Sequence, residues 1–307
     1  MTVETAPSPP SIAKQGSGTR SEALFGYLLI LPILVTMVGL VFYPLAATFW
    51  DSLHRVDPLQ PGAPFVGLAN YTRIFGDAEA GRAWTNTFKY VVLAVAFETI
   101  FGVLAAALIN QVKRGRQWVL AAVVLPWALP PVVSAVIWNW IYAPGPGLLN
   151  GSLMALGLNY DNYVWFNNST YAMLLITVVH VWRMMPLTIV IVLAAMQSIP
   201  TELYEAARMD GASPLNMFST ITLPLTRGAI AVAMTNATVY AFNLFDEAIV
   251  MASNTLETRP ILIQIYLEAF RKFHFSYGMA LSLVLTLIAL LISLGYVLRV
   301  QKTTRLD

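Results

Sequence analysis

The sequence predicts an all-α polytopic membrane protein with about six transmembrane helices, and three observations carry that prediction. Of 307 residues, 57% are hydrophobic and 11% are charged, whereas a soluble domain carries about 25% charged residues. The apolar residues are gathered into long blocks rather than spread through one core pattern. No block alternates with period two, as the roughly 9–11-residue strands of a membrane barrel would.

Taken in order, residues 1–20 are rich in Pro, Ser, Gly and Thr and lack apolar periodicity, which predicts a disordered cytoplasmic lead-in. Residues 23–50 then run without charge until the end of the block. A secretory signal needs an apolar region of only about 7–15 residues, so this block is expected to be a retained span. A hydrocarbon layer of about 30 Å takes about 20 helical residues. By that measure the spans fall at residues 24–49, 90–112, 118–142, 171–196, 228–245 and 277–298. Residues 21–300 thus form the transmembrane region, and 301–307 a cytoplasmic tail. Glu98 lies inside the second span, and His180 and Arg183 inside the fourth. Charged groups at such depth face a bundle interior or water. Pro126, Pro130 and Pro131 would either break the third span beside a cavity or kink it.

The connections differ in character. Residues 51–89 are long enough for a small structured cap. Residues 143–170 read as a surface-lying helix with Trp165 as an interfacial anchor. Six spans put both termini on one side. That side holds ten Lys/Arg against seven on the other, a weak bias, but the link from Lys113 to Gln117 packs three charges into five residues. Both termini are therefore expected in the cytoplasm.

Several functions are excluded by composition. There is no cysteine, so thiolate metal sites, disulfides and thiol catalysis are out. His54, His180 and His274 show no metal-ligand spacing. A net charge of +2 without a basic cluster offers nothing to nucleic acid.

The loop over residues 198–226 is the most informative segment. It reads as two short helices joined at a turn. Pro200 occupies a first helical turn, and Leu203, Ala206, Ala207 and Met209 form an apolar stripe. Glu202, Glu205 and Arg208 face elsewhere, with Glu205 and Arg208 spaced to pair. Gly211 is placed to close the first helix in a left-handed conformation. Ser213-Pro214 is an N-cap followed by proline at the first helical position, and Pro224 is expected to break the chain before the fifth span. Two adjacent alanines let another surface approach the backbone, so insertion into a partner's groove is one reading. A hairpin lying flat on the membrane as a mere connection is the other.

Glu205-Ala206-Ala207, Asp210-Gly211-Ala212, and then Ile221, Leu223 and Pro224 resemble, without gaps, the signature loop of permease subunits in binding-protein-dependent ABC importers. Gly147-Leu-Leu-Asn150, Leu156-Gly157, Trp165, Phe242-Asn243, Phe245-Asp246 and Tyr277-Gly278 are similar to the carbohydrate branch, the maltose-type and glycerol-phosphate-type permeases. They are similar also to the permeases of mycobacterial trehalose importers. Ser253-Asn254-Thr255-Leu256 departs from the Gly-Gly-Pro stretch of many relatives, which puts the shape of that loop in doubt.

The resemblance implies a type I importer permease architecture in a bacterial plasma membrane. It implies a second permease subunit, two copies of a cytosolic ATPase and an extracytoplasmic substrate-binding protein or lipoprotein. The chain has no G-x-x-x-x-G-K-[ST] loop, so ATP and Mg would be bound by the ATPase and this subunit would be no enzyme. Glu205, Ala206, Ala207, Arg208, Asp210, Gly211, Leu223 and Pro224 would form the ATPase-coupling helix and its base. The cargo would be a carbohydrate, for example a disaccharide such as trehalose. Amides, carboxylates and aromatic faces suit hydroxyl-rich sugars, which nominates Asn139 beside Trp138 and Trp140, and Asn236, Asn243 and Asp246 on the fifth span. Interhelical hydrogen bonding and interfacial anchoring are the plainer roles for the same side chains. A self-contained secondary transporter is the alternative; it would show more spans, inverted repeats and a titratable relay. A membrane-embedded enzyme would need clustered catalytic groups, and a purely structural partner subunit would need neither.

Overall fold

A computed structural model describes residues 20–304, apart from 57, 59, 60, 146, 253 and 254. Residues 1–19 of the lead-in expected over 1–20, the tip of the tail and the departure at Ser253-Asn254 lie outside the described residues, and Arg20 opens the first helix.

Among the described residues the regular structure is helical, and an isolated bridge pairs His54 with Phe65. It divides into two units at Trp50/Asp51. The first unit holds α1 (Arg20–Met37) and most of α2 (Tyr43–Ser52), joined through a π-helical turn over Val38–Phe42. The widened turn precedes Pro44, with Tyr43 N–H reaching back five residues to Val38 O. That geometry relieves the clash a proline ring makes with the carbonyl four residues earlier.

The second unit is a helical bundle. α3 (Ala69–Gly76) leads into α4 (Ala78–Asn110), whose first turn is capped by Asp77. α4 starts twelve residues before the expected second span, because the segment after Asp77 is a well-capped helix despite its polar residues. α4 packs along α8 (Ser169–Gln197), and both pack against α11 (Leu223–Phe242), which also meets α14 (Phe275–Thr304). Small residues line these crossings, among them Ala83 and Ala94 of α4 and Ala237 and Ala241 of α11. They allow close approach where lipid supplies no hydrophobic drive.

Two expected spans prove discontinuous. The third consists of α5 (Arg116–Ala128) and α6 (Pro131–Ile141), bent by 97° at Leu129–Pro130. Pro130 and Pro131 bring the break about, since the residue before a proline is driven out of the helical region. The fifth is displaced: a continuous helical stretch runs Pro214–Phe242, and the chain then breaks and restarts as α12 (Asp246–Met251). α12 packs against α6, so the two half-helices that follow the two breaks lie together. α7 (Leu148–Ala155) is the helix expected in the connection before α8. Trp165 there donates to Asn150 Oδ1 and stacks with Tyr160. α13 (Ile261–Tyr266) contacts α4 and α14.

Candidate functional site

The segment between α8 and α11 builds a projecting elbow. α9 (Thr201–Met209) follows Pro200, which stands just before the helix as its N-cap rather than inside the first turn. The helix ends in a Schellman motif. Gly211 adopts φ +79°, its N–H donates to Arg208 O at 3.1 Å, and Ala212 N–H donates to Ala207 O at 2.9 Å. α10 (Pro214–Met217) then starts under a Ser213 cap, the side chain accepting from Asn216 N–H at 3.3 Å.

Pro224 does not break the chain. A π-helical turn over Phe218–Thr222 widens the coil immediately before it, with Leu223 N–H donating to Phe218 O, and α11 continues. The proline thus sits where its missing N–H and its ring are tolerated. The same device serves Pro44.

Glu205, Ala206, Arg208, Asp210, Gly211, Leu223 and Pro224 are exposed, and Ala207 is partly so. Met209 is not part of a buried stripe, being 87% exposed. Nor do Glu205 and Arg208 pair: the guanidinium Nε donates to Tyr204 O at 3.1 Å. Tyr204 is the residue that sequence reasoning passed over. Its hydroxyl lies 2.8 Å from Thr222 Oγ1, tying α9 to the π turn at the foot of α11. Phe218 of that turn packs on a cluster containing Val103 and Ile109 of α4, and Val192 and Met196 of α8. A push on α9 therefore has a short bonded and packed route into three long helices. A lone aromatic residue in this short helix was the available signal.

The residues nominated for a pathway are not drawn into one site. Asn139 is on α6 and Asp246 opens α12, elements that pack together. Asp246 is accordingly not on the fifth span, because the helix stops at Phe242. Asn236 and Asn243 stand two turns apart along α11 and its cap. Their amide nitrogens donate to Val232 O at 3.0 Å and Val239 O at 2.8 Å, respectively. Among the described residues each amide oxygen is left over as an acceptor. Trp138 packs on Trp182 and Tyr142, whereas Trp140 is exposed. The described residues contain no group of side chains arranged to hold a metal ion.

A profile of the family described as binding-protein-dependent transport system inner membrane component matches residues 98–303, two thirds of the chain. The chain belongs to this family. The permease is 38% identical to the trehalose/maltose transport system permease protein MalF of Thermococcus litoralis, over 73% of this chain and 76% of that one. It is 32% identical to the sn-glycerol-3-phosphate transport system permease protein UgpA of Yersinia pestis bv. Antiqua, over 86% and 90%. These relatives place it in the maltose-type and glycerol-phosphate-type branch. A bacterial ABC transporter involved in the import of alginate shares the fold, with a TM-score of 0.78 at 22% identity over 90% of this chain and 94% of that one. The permease is thus a non-catalytic membrane subunit of an ABC importer, and family membership does not favour a self-contained secondary transporter.

Proposed function

We propose that the permease forms half of the passage for a carbohydrate, a disaccharide such as trehalose being the favoured cargo. The remaining half comes from a second, different permease subunit, and an extracytoplasmic binding protein or lipoprotein delivers the sugar. Two copies of a cytosolic ATPase bind ATP and Mg, and one of them grips α9. Both termini and the elbow lie in the cytoplasm of a bacterial cell. The likeness to a relative whose name specifies trehalose and maltose supports the cargo. Asn139, Asn236, Asn243 and Asp246 contribute polar contacts along the passage.

The observation that carries this reading is the elbow itself. A short helix closed at its C-terminus, exposed on its Glu205–Ala206 face and anchored at its base by Tyr204 and Thr222 has the form of a handle. A stiff handle transmits displacement, whereas a flexible connection absorbs it.

Purification in mild detergent tests the proposal: an ATPase and a second permease should accompany this chain. With the binding protein added, trehalose should raise the ATP hydrolysis rate and maltose should serve as the comparison. Recovery of the chain alone, together with sugar uptake driven by a proton gradient, would overturn it.

A further inference from the structure

Glu98, His180, Arg183 and Glu247 belong neither to the elbow nor to the nominated passage. They converge from α4, α8 and α12. His180 Nε2 faces Glu98 Oε1 at 3.6 Å, and Nδ1 faces Glu247 Oε1 at 3.5 Å. Arg183 donates to the same Glu247 oxygen through Nε at 2.9 Å and Nη2 at 2.8 Å. The side chains of His180, Glu98 and Glu247 are 1–2% exposed. Neither ring nitrogen of His180, nor Glu98 Oε1, has a hydrogen-bond partner among the described residues.

Two features of this arrangement point the same way. Two carboxylates and one guanidinium leave a net negative charge if the imidazole is neutral, and an uncompensated buried charge is costly. A neutral imidazole also has one donor and one lone pair. With a carboxylate oxygen opposite each ring nitrogen, the lone pair would face another acceptor. One additional proton removes both problems.

The remaining charges on the surrounding helices are distant or already counted. α6 carries none, α8 has only Arg183, and the charged residue of α11 is Arg227, fifteen residues before Phe242. On α4 the next charge is Lys89, nine residues from Glu98, and α12 adds the half-buried Asp246 beside Glu247. Arg183 is paired with Glu247, so the half-buried Asp246 adds negative charge and strengthens the need for the proton.

The position of the cluster gives it a mechanical meaning. α12 follows the break in the fifth span and packs on α6, which follows the break in the third. Through the buried Glu247, α12 meets His180 and Arg183 of the uninterrupted helix α8, and His180 in turn faces Glu98 of α4. We infer that Glu98, His180 and Glu247 share one extra proton that latches the α6–α12 pair onto α4 and α8, with His180 as the positioning residue. Without that proton, the two carboxylates no longer have a donor at each ring nitrogen, and α12 is released.

This inference rests on the permease reading for its role in transport but not for its test. The chain has no cysteine, so spin labels can be placed on cysteines at Phe101 of α4 and Val250 of α12 in the assembled transporter. The wild-type pair should give a single narrow distance distribution that broadens as pH is raised. H180Q should broaden it at all pH values and lower sugar uptake by at least about tenfold, as loss of one partner from a buried charge cluster does. E98Q alone, which leaves Glu247 and Arg183 balanced, should keep the narrow distribution and lose its pH response. The double variant H180Q/E98Q should recover the narrow distribution and most of the uptake. A double variant no better than H180Q, or an α4–α12 distance that ignores both pH and substitution, overturns the latch. Absence of uptake by the wild type would instead sink the permease reading while leaving the distance measurement intact.

Discussion

Gly102 of α4 meets Thr188 of α8 so closely that a β-carbon added at 102 would stand 2.5 Å from Thr188 Cγ2 and 3.1 Å from its Cβ. The two longest-packed helices of the bundle touch here almost backbone to side chain. G102V should therefore push α4 and α8 apart and cost about 1–3 kcal/mol, the usual range for overpacking. A thermal-unfolding series in detergent checks this. T188S removes the offending methyl and should recover part of the loss in the double variant.

Asp77 caps α4 with one carboxylate oxygen, accepting from Glu79 N–H at 2.9 Å and Ala80 N–H at 3.1 Å, while the other accepts from Tyr277 O–H at 2.9 Å. Partial burial by itself pushes its pKa up. The Ala80 N–H, the Tyr277 hydroxyl, the Glu79 N–H and the nearby Arg73 charge outweigh that and hold the carboxyl below the ordinary range. A depressed folded value means that stability is present above the unfolded carboxylate's pKa of about 3.9. It is lost as pH falls through the lower folded value. D77N keeps an acceptor at the cap without titrating, so its stability should fall less steeply below about pH 4 than that of the wild type. D77A should lose about 0.5–2 kcal/mol at neutral pH, the cost of a missing cap.

Thr87 Oγ1 accepts from Ile261 N–H at 2.7 Å and donates to Ala83 O at 2.9 Å, both in the interior. Beside it Asn86 donates to Leu256 O and Arg259 O, and Tyr90 donates to Thr258 O. These side chains of α4 hold the irregular segment before α13. T87V keeps the shape but orphans the Ile261 N–H, at about 1–3 kcal/mol. The same variant should make the segment around Thr258 more open to limited proteolysis.

Gly211 closes α9 at φ +79°, a conformation proline cannot adopt because its ring holds φ near −65°. G211P should misplace the elbow, and A207W should block the close approach of a partner. Both should abolish sugar uptake with the long helices intact. Uptake that survives both substitutions, with the ATPase still bound, would exclude α9 as the coupling element.

Alanine at Asn139, Asn236, Asn243 or Asp246 should raise the sugar concentration needed for half-maximal uptake several-fold, since a lost polar contact costs on the order of 1 kcal/mol. Subunit assembly in detergent should be unchanged. If all four leave the concentration dependence unaltered, these side chains serve only the helices that carry them.

Much of the fold was legible because a bilayer imposes a length and a polarity on each helix. The α8 span was placed within two residues at its start and one at its end, and Gly211 and Ser213-Pro214 performed as local backbone rules require. Pro224 and Asp246 were misread for a related reason. A proline signals a break only if the helix cannot rearrange, and here a π turn over Phe218–Thr222 absorbs it. The break came instead at Asn243–Phe245, where no proline marks it.

Hydropathy and the Glu205–Pro224 motif determined, from sequence alone, a polytopic helical permease and the position of its elbow along the chain, because these are properties of consecutive residues. Which charges meet was decided only by tertiary structure. Glu98, His180 and Glu247 are separated by 82 and 67 positions, and nothing local specifies that three helices will bring them together. The prolines at 130 and 131 marked a break or kink in the third span, but the pairing of α6 with α12 belongs to the same class as the charge cluster. Both arise from packing among remote segments, where the cost of burying a polar group is settled by its neighbours in space.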